Sequence, residues 1–249
     1  MMMVFMARLR LVHNIILGIL MANMMFPNLP VPKSPPAVGR SGIGRVTSKV
    51  ISGNSSKKYM MNKSKVPTLY PSLYSVLGDN LIVADIDSPV VQTHLKDISK
   101  IPIPALKGLK DYNVKIYIGD NSVAGFPGME DMKDKTPFGW DSKYTYNDIA
   151  GTYDTSGKVY LGADQWNTPN LALHEMSHAI GAIMGVDSDS DLQKYYDRYK
   201  GKTNTYQADG GNYLEEFFAG VTTDILTGND KAYDKDFINY IYKILNGYK

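Results

Sequence analysis

The chain has 249 residues and no cysteine, so disulfides and cysteine-ligated zinc are excluded and any metal must be held by histidine and carboxylate. A hydrophobic content of 43% is enough for a core, and the length suits one domain of ordinary size plus extra segments. The formal charge of +2 hides a break: residues 1–65 hold ten of the 27 Lys and Arg and none of the 25 Asp and Glu, which separates a basic tail from an acidic body.

Residues 1–26 read as a targeting segment. Arg8 and Arg10 precede an apolar run from Ile15 to Phe26. A comfortable membrane span needs about 20 apolar residues, so the run fits a signal-peptide core better, with a cut after Ala22. An uncleaved membrane anchor and a basic transit peptide are the alternatives, and Met6 is a second candidate start. Residues 27–65 are rich in Pro, Ser, Gly and Lys without periodicity, which reads as a basic flexible linker or pro-segment.

The body over 66–249 opens with a short strand expected at Leu81–Asp85. Ser88-Pro89 then starts a helix through about Lys100, in which His94 is a half-buried residue given no role. Leu106 and Leu109 sit in a short apolar segment before a second strand, Val114–Ile118, which ends at the Gly119-Asp-Asn turn. Residues 122–157 read as one long loop carrying Phe126, Phe138, Trp140, Tyr144, Tyr146 and Tyr153. Loops of that length are often functional, and these aromatics either contact substrate or pack the loop onto its own domain. Lys158–Gly162 is a further strand; as an edge strand it can pair with an extended peptide.

The motif that organises the rest follows. His174-Glu175-x-x-His178 lies in an apolar stretch in which Thr168-Pro169 supplies an N-cap and a first-turn proline. At 100° per residue the two imidazoles share one helix face with Glu175 beside them. They can bind one metal ion, and the carboxylate can take a proton from water at that ion. Leu173, Met176, Ile180, Ile183 and Met184 give the helix a separate apolar face. Two of the four histidines fall here, which argues against chance spacing.

Asp187-Ser-Asp-Ser-Asp191 has calcium-loop character, but Leu192 and Arg198 stand where such a loop needs Gly and Glu, so an acidic helix start explains it better. Helices follow at Asn212–Leu226 and Lys231–Leu245. The fold class is therefore α+β, a small mixed sheet followed by a helical subdomain. A catalytic zinc takes three protein ligands. Met184 occupies the position of the third histidine in H-E-x-x-H-x-x-G-x-x-H enzymes, which excludes that class and leaves a later carboxylate. Glu215-Glu216 is the obvious source, with Asp187 or Asp189 as the rival.

The combination of His174-Glu175-x-x-His178-Ala-Ile-Gly181 with Glu216-Phe-Phe-Ala219 resembles the anthrax lethal factor-type peptidases, which include the Pro-Pro endopeptidases, from about Tyr70 to the C-terminus. The resemblance implies a secreted zinc endopeptidase with a zincin-like fold, or a membrane-anchored one if residues 1–26 are retained. It makes Glu216 the third ligand and Glu215 an ordinary surface carboxylate. It also implies an oxyanion-stabilising tyrosine upstream, for which Tyr206 is the candidate and Tyr213 the reserve. The family tends to place a second Glu, supporting a zinc histidine, where this chain has Gly220. The expected partner is an extended peptide or protein, cut at proline-rich sites if the short layout follows the Pro-Pro branch. A monomer is expected, with no nucleic acid and no membrane contact beyond the N-terminal segment. The alternative is a catalytically weak toxin-like or surface-binding module that keeps the zinc site.

Overall fold

In the computed structural model, residues 65–137, 142–163, 170–200 and 214–248 are described. The targeting and linker segments expected over 1–65 lie outside them, apart from Lys65, whose ammonium pairs with Asp87 at 2.6 Å. Four short strands form one sheet: β1 Leu81–Val83, β2 Lys115–Ile118, β3 Gly151–Asp154 and β4 Lys158–Leu161. Their order is β1-β2-β4-β3, parallel except for the antiparallel β3–β4 pair.

Side chains alternate across a strand, so the register sorts the sheet into two faces. Leu81, Val83, Ile116, Ile118, Val159 and Leu161 are buried on one face and join the main core. Tyr117 and Tyr160 pair on the other face, their rings stacked with centroids 5.1 Å apart. That second face is covered by residues 123–132 and 146–149, which form a small core of their own with Ala84 and Tyr160. The loop aromatics thus divide. Phe126 is fully buried and Tyr146 packs against it, whereas Tyr153 packs on the main core. Phe138 and Trp140 lie outside the described residues.

Two expectations need correcting here. The stretch 122–157 is not one loop, because its end is strand β3, turned into β4 by Asp154-Thr-Ser-Gly157. Asp154 accepts hydrogen bonds from the backbone N–H and the hydroxyl of Ser156, and Gly157 supplies the left-handed φ of 86° that closes the turn. Consequently β4 is an interior strand and β3 is the edge.

Short helices α1 Val66–Leu69 and α2 Pro71–Leu77 precede the sheet. Helix α3, Pro89–Ile98, follows β1. The apolar segment around Leu106 is in fact a nine-residue helix, α4 Ile103–Asp111, which has a proline in its first turn and buries Ala105, Leu106 and Leu109. His94 is buried rather than half-buried, and its Nε2 lies 2.8 Å from the carbonyl of Gly162, at the exit of β4.

The remaining helices are α5 Leu171–Met184, α6 Ser190–Tyr199, α7 Leu214–Thr227 and α8 Lys235–Asn246. The first helical residue of α5 is Leu171. Its N-cap is therefore Asn170, in the left-handed region at φ 56° with no side-chain cap, and not Thr168, which with Pro169 lies outside the described residues. The Asp187–Asp191 run is a helix start: Asp189 caps α6 by accepting from the N–H groups of Asp191 and Leu192 at 2.8 and 3.0 Å. Asp234 caps α8 and also accepts from the Tyr199 hydroxyl at 2.6 Å, which ties α6 to α8. Among the described residues no helix is long and apolar enough to cross a membrane.

Candidate metal centre

Helix α5 runs through the core with Leu173, Met176, Ala179 and Ile180 buried, which leaves His174, Glu175 and His178 on its less covered side. Helix α7 packs along it. The close approach is set at Gly181, where an added Cβ would come within 2.9 Å of Val186 Cγ2 and 3.1 Å of Phe218 Cδ1. The packing of α7 along α5 brings Glu216 to the two imidazoles.

The three donor atoms form a nearly equilateral triangle. Nε2 of His174 and Nε2 of His178 are 3.1 Å apart, and Glu216 Oε2 lies 3.4 Å from the first and 3.5 Å from the second. Zinc bonds of roughly 2.0–2.2 Å at tetrahedral angles place neighbouring ligand atoms about 3.3–3.5 Å apart. The two edges to Glu216 fall in that range and the edge between the imidazoles is slightly shorter, so the residues present fit a zinc ion. The side chains of His174, His178 and Glu216 are partly exposed, at 20%, 14% and 33%.

Electrostatics reinforce the geometry. Burial pulls His178 down, but its hydrogen bond to Glu216 and the charges of Glu216, Glu175 and Glu215 outweigh this and hold it above the ordinary imidazole value. Burial pushes Glu216 up, yet its bonds to His174 and His178 hold it far below the usual carboxylate range. Glu216 is therefore an anion ready to accept a cation.

The structure brings His174, His178 and Glu216 together, and they are the one group among the described residues with metal-holding geometry. Glu175 stands beside them on α5, partly exposed, on the side that faces the head of β3. Glu215 is exposed and not part of the triad. Asp189 is engaged as the cap of α6 and Asp187 is exposed, so neither rival carboxylate joins the imidazoles. Tyr206 and Tyr213 lie outside the described residues. Gly220 is buried in α7 and carries no side chain, and among the described residues no partner meets the Nδ1 of either histidine. One contributor to the site left no mark in the sequence: Gly151, whose backbone lies against Glu175.

Comparisons with known proteins bear on the family and the fold. No curated protein matches the sequence. A solved structure of a Pro-Pro endopeptidase from Paenibacillus alvei is similar with a TM-score of 0.53 at 19% identity, covering 68% of this chain and 99% of that one, a likeness of fold. The family described as anthrax toxin lethal factor, N- and C-terminal domain, matches residues 77–223, more than half of the chain, from the end of α2 through both ligand helices. The chain belongs to the anthrax lethal factor family, the group of the lethal factor-like and Pro-Pro endopeptidase metallopeptidases.

Proposed function

We propose that the chain is a zinc endopeptidase that hydrolyses extended peptides, with His174, His178 and Glu216 holding the ion. The observation that carries this reading is the donor triangle, whose 3.1, 3.4 and 3.5 Å edges suit tetrahedral zinc. Zinc bound there supplies Lewis acidity, making a water acidic at neutral pH and polarising the scissile carbonyl. Glu175 takes a proton from the attacking water as its oxygen adds to the carbonyl carbon. It then delivers that proton to the departing nitrogen as the C–N bond breaks. The outer edge of β3, unpaired among the described residues, offers backbone groups to an extended substrate. The basic N-terminal segment and the relationship to Pro-Pro endopeptidases support export and cleavage at proline-rich sites.

The test uses the full-length chain with a proline-scanned peptide library and metal analysis. Wild type should bind one equivalent of zinc and cut the library; Glu175→Gln should keep the zinc and lose hydrolysis. Unchanged turnover in Glu175→Gln removes Glu175 from the mechanism. A second reading, a binding module with little catalysis, is favoured by Gly220 and by the lack, among the described residues, of a partner at Nδ1. It predicts zinc without cleavage anywhere in the library.

A further inference from the structure

Gly151 opens β3 and pairs with Leu161, which puts it on the helix-facing side of the sheet. A Cβ at this position would lie 2.9 Å from Leu171 Cδ1 and 3.0 Å from Glu175 Cγ. Ordinary carbon–carbon contacts are about 3.5–4.0 Å. Leu171 and Glu175 are one turn apart on α5, so together they form a ridge laid against the backbone of the edge strand. Gly151 is not among the glycines with left-handed φ, so it is the space, not the backbone conformation, that demands glycine.

The two neighbours differ in how firmly they are held. Leu171 is buried, at 8% exposed, whereas Glu175 is partly exposed and has solvent to move into. A methyl group at 151 therefore displaces the carboxylate rather than the leucine. We propose that Gly151 is a positioning residue for Glu175: its missing side chain is the slot that sets the carboxylate between the edge strand and the His174–His178–Glu216 triad. The inference rests on the zinc-peptidase reading for its catalytic meaning, and the contact itself stands apart from that reading.

Two measurements on the full-length chain test it. The first is a melting cycle on metal-free wild type, Gly151→Ala, Glu175→Ala and the double variant. Gly151→Ala should lower the Tm of wild type and lower that of Glu175→Ala less, because the second background has no Cγ to displace. Equal losses in both backgrounds overturn the proposal. The second is kinetics of the zinc-loaded Gly151→Ala protein, whose zinc stoichiometry should equal that of wild type. Displacing a reacting group by up to an ångström costs up to about a hundredfold, so kcat should fall roughly ten- to a hundredfold while KM stays within about twofold. A kcat within about twofold of wild type, or a loss carried by KM, overturns it. If wild type cuts no peptide at all, the peptidase reading fails, while the melting cycle still decides the contact.

Discussion

Glu216 and His178 respond to pH in opposite senses, and the metal-free protein should show both. Glu216, held low by its imidazole partners, contributes stability above its ordinary value of 4.5 and loses it as the pH falls through its depressed pKa. His178, held high, contributes fully below 6.5 and loses its contribution as the pH rises through its raised pKa. The pair therefore supports the metal-free fold best between these two values. Melting curves of wild type and His178→Ala across acidic to alkaline pH should diverge most at mildly acidic pH and converge toward alkaline pH. A difference that grows with alkalinity would contradict the assignment.

Tyr206, carried only by resemblance, has its own test at this scale. A well-placed oxyanion donor is worth about 10²–10³ in kcat, so Tyr206→Phe should lose that much with zinc retained. If Tyr213→Phe loses it instead, the reserve is the donor. The histidine pair was legible in the sequence because helical periodicity alone places i and i+4 side chains together. The choice between Glu215 and Glu216 was not legible by spacing, since adjacent residues on a helix differ only in azimuth. It came from the Glu216-Phe-Phe-Ala219 pattern, and in the structure Glu216, not Glu215, stands with the imidazoles.

At the scale of elements, β3 shows why an edge strand escapes detection. All four of its residues are half-exposed, so no alternation of buried and exposed positions announces it, and its first residue is glycine. Helix α4 escaped for a different reason: nine residues with a proline in the first turn give too short a repeat to separate helix from apolar segment. Helices α5 and α8 declared themselves through long apolar faces, although the start of α5 is two residues later than a Thr-Pro cap implies. The α5–α7 crossing makes a prediction. Gly181→Val overfills a space in which even a Cβ would lie 2.9 Å from Val186 Cγ2 and should cost about 1–3 kcal/mol, measured by chemical denaturation. Because Phe218 and Glu216 share α7, zinc titration of the same variant should show weaker binding. Full zinc affinity in a destabilised Gly181→Val would uncouple the packing from the site.

For the whole molecule, zinc bound as proposed between α5 and α7 should add stability by mass action. At a free zinc concentration a hundred times Kd, binding to the native state alone adds about 2.7 kcal/mol. Melting with and without chelator should show this gain in wild type, and Glu216→Ala should show little of it. With no partner at Nδ1 among the described residues, the affinity should sit below that of a site whose histidines are supported, since such partners are worth about 10–100-fold. Competition against chelators of graded strength measures this.

His178 and Glu216 lie on helices separated by all of α6, so coordination of both closes the intervening chain into a loop. In a sequence without a single thiol, that loop takes the place a disulfide would hold, restricting the unfolded chain by a bond that reductants do not touch. With zinc bound as proposed, the stability of the fold would answer to how much zinc its surroundings contain and not to thiol–disulfide exchange.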